Sequence, residues 1–184
     1  MSQFRVVVVM SCLLAGAASA SGANLTSGEK LEVKIKQKTA AEEAKRLWDR
    51  FGTWCGIAEW HPAVRSCTEG KEDGAVYRTL SLTDGGKIKE RLLSLEPHSY
   101  RYAIVESPLP VKNYEAEFAV VPDKDHADEV DVVWSASYDA ANDKADADAQ
   151  GAIDGIFKNG IASIKAKIPT IPERSETGDA APKP

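Results

Sequence analysis

The chain has 184 residues, 43% hydrophobic and 28% charged, and Lys+Arg 23 against Asp+Glu 28 give it a formal charge of −5. That length suits one domain around a single core. The acidic balance excludes the basic face that nucleic-acid binding requires, and no internal repeat or low-complexity block suggests an array.

Met1 to Arg5 is a short cationic start, Val6 to Ala17 an apolar run, and Ala18-Ser19-Ala20 a set of small residues fit for signal peptidase. Residues 1–20 therefore read as a secretory signal cleaved near Ala20. The run is shorter than the roughly 20 apolar residues a membrane span takes, and Val9-Met10-Ser11 before Cys12 is a poor lipobox. No later stretch is long enough to cross a bilayer. The expectation is a periplasmic or secreted protein without stable membrane insertion. Loss of Arg5 with the signal moves the formal charge from −5 to −6.

Residues 21–29 are small and polar and read as a flexible leader, with the domain over 30–168. Lys30 to Lys38 alternates, placing Leu31, Val33 and Ile35 on one face of a half-buried strand. Thr39 and Glu42 fit a capping box for a helix from Ala40 to Phe51, ended by Gly52. Trp54, Trp60 and His61 then fall in a short segment broken by Gly56 and Pro62, read as a brief second helix or loop.

Six strands follow: Ala63 to Glu69, Ala75 to Leu82, Lys87 to Leu95, Tyr100 to Glu106, Lys112 to Val121 and Val130 to Tyr138. The turns between them include Asp84-Gly85-Gly86, a hairpin signal, and the proline-bracketed loop Ser107-Pro108-Leu109-Pro110. Beyond Asn142 the period changes. Ile153, Phe157, Ile161, Ile164 and Ile168 recur at helical steps, with acids before them and lysines at the end, as the helix dipole favours. Pro169 and Pro172 stop this helix, and residues 169–184 read as a polar flexible tail. The order predicts an α+β domain in which a curved antiparallel sheet wraps a long C-terminal helix. A sheet bent around one helix favours an internal ligand cavity.

Alternation turns Leu80, Tyr102, Tyr114 and Trp134 inward, and with them two charged residues, Arg78 and Glu90. An inward charge is costly unless paired or solvated. Either the two anchor a ligand in a wet cavity, or they pair with each other inside a packed core. His61 is either an acid, base or anion contact or a structural hydrogen-bonding residue. Trp54, Trp60 and Trp134 are core or an aromatic wall. Cys55 and Cys67, left once Cys12 is removed, are either a disulfide, as an oxidising compartment allows, or two buried thiols. His61, His98 and His126 show no zinc-ligand spacing with the cysteines, so no metal or other cofactor is expected.

Four stretches together resemble the polyketide cyclase/dehydrase branch of the START/Bet v 1-like (SRPBCC) superfamily. They are Leu47-Trp48-Asp49-Arg50-Phe51-Gly52, Trp60-His61-Pro62-Ala63-Val64, Gly85-Gly86-Lys87-Ile88-Lys89-Glu90-Arg91-Leu92 and Ser107-Pro108-Leu109-Pro110-Val111-Lys112-Asn113-Tyr114. The resemblance implies a helix-grip fold of about seven strands, with two short helices after the first. It also implies a cavity for a small apolar or aromatic molecule, with candidate ligand contacts at Trp60, His61, Arg78, Leu80, Glu90, Tyr102, Tyr114, Trp134 and Phe157.

Asp84 to Leu92 and Ser107 to Tyr114 are similar to the gate and latch of plant abscisic acid receptors, and His61 falls where those carry a lysine. The gate sequence itself differs, so hormone sensing is not implied. The resemblance leaves three roles open: a non-enzymatic binding protein, a cyclase/dehydrase using His61 and Glu90 as acid/base groups beside Arg78, or, as in the exported MxaD-like group, an accessory to a periplasmic redox enzyme of methanol or alcohol oxidation.

Overall fold

A computed structural model describes residues 25–169; the signal segment and nearly all of the expected tail lie outside the described residues. Seven strands form one antiparallel sheet in the order β1-β7-β6-β5-β4-β3-β2. They are β1 (Leu25–Lys34), β2 (Val64–Glu72), β3 (Ala75–Leu82), β4 (Lys87–Glu96), β5 (Ser99–Glu106), β6 (Val111–Pro122) and β7 (Glu129–Ala140). Helices α1 (Ala40–Phe51) and α2 (Ile57–Trp60) connect β1 to β2, and α3 (Asp146–Lys167) follows β7. This is the helix-grip fold: β2 to β7 run as a meander, and β1 joins the far edge beside β7.

The curvature has local causes. The register slips in β4–β5 pairing between Leu92 and Ser94 and in β6–β7 pairing between Lys112 and Glu115, and each bulge bends its strand and increases twist. Asn113, inside the second bulge, takes φ 52°, a left-handed value that asparagine tolerates better than most residues. Its amide donates to Asp139 at 2.8 Å and so anchors the bend. Gly85 sits at φ 94° in the β3–β4 turn, a conformation open to glycine without steric cost.

The concave face is covered by all three helices. Helix α3 lies across β1 and β7, α1 against β6 and β7, and α2 beside β2 and α3. Thr39 caps α1 by accepting from the Glu42 backbone N–H at 3.2 Å, as the capping signature predicts. The stripe Ile153, Phe157, Ile161 and Ile164 is buried, and Ile168 is half-buried at the helix end.

One boundary needs correction. The stretch read as a flexible leader contributes Leu25 to Glu29 to β1, paired with Tyr138 through Trp134 of β7. Leu25-Thr-Ser-Gly-Glu carries almost no apolar signal, and the pairing is stabilised by distant partners. The Ser27 hydroxyl lies 2.6 Å from Tyr138 Oη and donates to Asp154 of α3 at 2.5 Å. The strand accordingly ends at Lys34 rather than Lys38.

Candidate functional site

The concave face divides into a filled half and a hollow half. Toward α1, aromatic rings occupy the space. Trp60 stacks on Phe118 with centroids 5.6 Å apart, Tyr100 on Phe118 at 5.8 Å, and Trp54 meets Tyr100 edge-on at 5.1 Å. Such contacts add about 0.5–1.5 kcal/mol each beyond area burial. Toward the N-terminal half of α3 the walls are aliphatic and leave a cavity of about 200 Å³. Leu80, Leu82 and Ile88 line it from β3 and β4, Tyr102, Ile104 and Tyr114 from β5 and β6, and Ile153 and Ile156 from α3. Asp84 of the Gly-Gly hairpin and Leu109 of the Pro-Leu-Pro loop also border it, so these two segments meet at one end of the hollow and form its mouth.

Six of the nine residues picked from the sequence border this cavity: His61, Leu80, Glu90, Tyr102, Tyr114 and Trp134. The other three, Trp60, Arg78 and Phe157, do not. Trp60 belongs to the filled half, its indole donating to the Phe51 carbonyl at 3.0 Å. Phe157 lies behind Trp134, stacked at 4.3 Å. The lining residues that sequence reasoning did not pick include Ile57, Ala63 and Val64 around α2 and Ile156 on α3. Ile156 stands one step off the helical stripe, Ile57 sits in a segment with no readable period, and Ala63 and Val64 stand just before and at the very start of β2.

Arg78 and Glu90 face each other across β3 and β4. The Arg78 Nε donates to Glu90 Oε2 at 2.5 Å, one terminal nitrogen donates to the Trp54 carbonyl, and the guanidinium carbon lies 3.9 Å from the centroid of the Trp54 ring. Arg78 is 1% exposed and Glu90 4%. The pair joins the two halves of the core: Arg78 is sandwiched among rings, whereas Glu90 borders the hollow. Burial pulls the Arg78 guanidinium down, but Glu90 and the nearby tyrosines more than offset it, so Arg78 stays charged. Burial raises the Glu90 carboxyl above its ordinary value, with Arg78 opposing that shift in part.

His61 is 4% exposed and has both ring nitrogens committed to the backbone. Its Nδ1 accepts from the Ala63 N–H at 3.2 Å, which leaves Nε2 to carry the proton and donate to the Ile156 carbonyl at 3.0 Å. Burial holds its pKa below the usual value, and the Ile156 contact opposes this only partly. The ring is therefore a neutral pin between the α2–β2 loop and α3. Gly160 makes room for it: a Cβ there would lie 2.7 Å from His61 Cδ2 and 2.7 Å from Trp134 Cζ3.

Besides Asp84 at the hairpin, the remaining polar side chains of the cavity include two hydroxyls. The Tyr102 hydroxyl accepts from the Trp134 indole at 2.9 Å, and burial raises the pKa of both Tyr102 and Tyr114, so both remain protonated donors. Beside the cavity, a disulfide joins Cys55, between α1 and α2, to Cys67 of β2, with Cα atoms 5.5 Å apart. It ties the loop that supplies Ile57 to the strand after Val64.

Residues 32–169 match the family described as polyketide cyclase/dehydrase and lipid transport. No curated protein matches the chain in sequence. Solved structures resemble it in fold. XoxI from Bacillus cereus superposes with a TM-score of 0.65 at 22% identity, covering 77% of this chain and 94% of that one. An uncharacterised protein from Bacillus thuringiensis gives 0.64 at 22% identity, covering 78% and 98%. The Zhui aromatase/cyclase from Streptomyces sp. R1128 gives 0.57 at 14% identity, covering 78% and 90%.

Proposed function

Since this chain belongs to the polyketide cyclase/dehydrase and lipid transport family of the SRPBCC superfamily, we propose that it binds one small apolar or aromatic molecule in the cavity between β3–β6 and α3, without transforming it. The observation that carries this reading is the hollow itself, about 200 Å³ walled by aliphatic side chains and bordered by Glu90, Tyr102 and Tyr114. An apolar cavity of roughly 150 Å³ takes up benzene, whereas drug-sized ligands need pockets of about 300–1,000 Å³. The size thus favours a single-ring or short-chain molecule with one or two oxygens for the carboxyl and hydroxyls. A multi-ring polyketide would require the Gly85 hairpin and the Leu109 loop to open.

Catalysis as a cyclase or dehydrase would need a free acid or base. His61 already spends both nitrogens on the backbone, and Glu90 is held by Arg78. Neither is poised to cycle a proton with substrate. The Cys55–Cys67 bond and the secretory character of residues 1–20 support a site of action outside the cytoplasm.

The reading is tested by native mass spectrometry of protein recovered from its own host, together with thermal-shift screening of single-ring phenols, ketones and short fatty acids. A co-purifying small molecule, or a stabilisation that Ile156→Trp removes by filling the hollow, is the expected result. Absence of any bound species and of any stabilisation across that panel would overturn it, and turnover of a bound compound would replace it with the enzymatic reading.

A further inference from the structure

A second cluster lies at the opposite end of the sheet from the cavity mouth, in the β6–β7 loop. Asp123, His126 and Glu129 each offer one ligand atom there, and these atoms all lie within 4.8 Å of one another. His126 Nδ1 is 3.3 Å from Asp123 Oδ1 and 3.8 Å from Glu129 Oε2. Around tetrahedral Zn²⁺, bonds of about 2.0–2.2 Å to nitrogen and carboxylate oxygen put neighbouring ligand atoms roughly 3.3–3.5 Å apart. Two edges of the triangle are thus within about half an ångström of that spacing.

Burial gives an independent reason to expect a cation. Glu129 and Asp131 are each only 9% exposed, yet Glu129 Oε2 and Asp131 Oδ1 are buried without any hydrogen-bond donor among the described residues. An orphaned buried carboxylate oxygen is costly, and Glu129 Oε2 is the atom facing His126. The outer oxygens, by contrast, are satisfied. Lys34 holds Glu129 Oε1 at 2.6 Å, and Lys30 reaches Asp131 Oδ2 at 3.3 Å and Asp123 Oδ2 at 3.6 Å. Asp123 Oδ1 is oriented by the backbone N–H groups of Asp125 and His126, each at 2.7 Å. With Glu32 and Asp128, five carboxylates share the two lysines. The local charge is negative, and the inner oxygen of Glu129 is left bare.

We propose that Asp123, His126 and Glu129 form a divalent-cation site, selective for Zn²⁺ by its mixed imidazole and carboxylate donors, which fastens the β6–β7 turn. Imidazole suits Zn²⁺, whereas an oxygen-only set would suit Ca²⁺ or Mg²⁺. The three ligands leave a fourth position for water, and Lys30 and Lys34 orient the carboxylates from behind as outer-shell partners do. In the sequence the histidines show no ligand spacing with the cysteines, which points away from a metal. The fold supplies carboxylates instead, two of them three residues to either side of His126.

The test is calorimetric titration of the chelator-stripped, disulfide-intact protein with ZnCl₂, repeated with CaCl₂, alongside melting curves. Zn²⁺ should bind one to one and raise Tm by roughly 5–10 °C at about a hundredfold excess over Kd. His126→Ala, at an exposed position that the fold does not need, and Glu129→Gln should each weaken binding by about a hundredfold or more. Three results would overturn the proposal: no Zn²⁺ binding to the wild type, variants that bind as tightly as the wild type, or Ca²⁺ binding that His126→Ala leaves intact.

Discussion

The two halves of the concave face share β5 and β6 and differ in what fills them. Beneath α1, Trp54, Trp60, Tyr100 and Phe118 interlock. Beneath the first turns of α3, Leu80, Ile88, Ile104, Ile153 and Ile156 stop short of meeting. Wide rings close a curved sheet onto a helix; branched aliphatic chains at the same height cannot bridge the gap. The difference teaches that the hollow is made by residue size at a few inward positions, while the backbone curvature is shared. The Arg78–Glu90 pair stands on the border, its cation stacked in the packed half and its carboxyl turned to the empty one.

Breaking that border should have the largest effect. Arg78→Met leaves Glu90 buried without its partner, and unfolding in urea should show a loss of about 3–5 kcal/mol. Arg78→Met combined with Glu90→Leu should recover most of it. If the single and double variants unfold alike, the pair does not couple the halves.

A smaller effect is expected at the seam between α3 and the rings. Gly160→Ala would drive a methyl into His61 and Trp134 and should cost about 1–3 kcal/mol. At Gly155 a Cβ would meet nothing within 4 Å, so Gly155→Ala should stabilise the helix by up to about 1 kcal/mol. Opposite signs of the two changes in denaturant midpoint check that the seam, rather than helix propensity, decides.

The pH dependence is smaller still. His61 has a depressed pKa in the folded state because of burial, so as pH falls the unfolded chain binds its proton first. Its contribution to stability is complete above the unfolded value of about 6.5 and drains as pH drops below it towards the folded value, at up to about 1.4 kcal/mol per pH unit. Glu90, raised by burial, acts in the opposite sense: its contribution is present below the ordinary carboxylate value and is lost as pH rises through the folded one. Comparing wild type with His61→Gln by urea unfolding between about pH 5 and pH 8 isolates the first effect. Parallel curves would assign the acid sensitivity to another group.

Much of this fold was legible in the sequence because its signals are local. The Thr39 cap, the Asp84-Gly85-Gly86 turn, the alternation of β3 to β6 and the isoleucine stripe of α3 each lie within a few residues. The first half of β1 was not legible, since Ser27 is held by Tyr138 and Asp154, residues more than a hundred positions away. For the site, alternation finds which side chains point inward but not how far along the face the rings extend. Leu80 and Glu90 thus border the hollow, while Trp60 and Phe157, on equally inward faces, are packed among other rings. Of the two readings left open for Arg78 and Glu90, the structure shows the mutual buried pair, with Glu90 alone bordering the cavity.

The most direct test of the binding cavity is methyl-resolved NMR of the protein during titration with a single-ring phenol. The account predicts that resonances of Leu80, Ile88, Ile104, Ile153 and Ile156 shift together and saturate, while those of Leu31 and Ile168, in a shallow groove near the end of α3, stay in place. Shifts confined to that groove, or no saturable shift at the five cavity residues with any single-ring ligand, would contradict it.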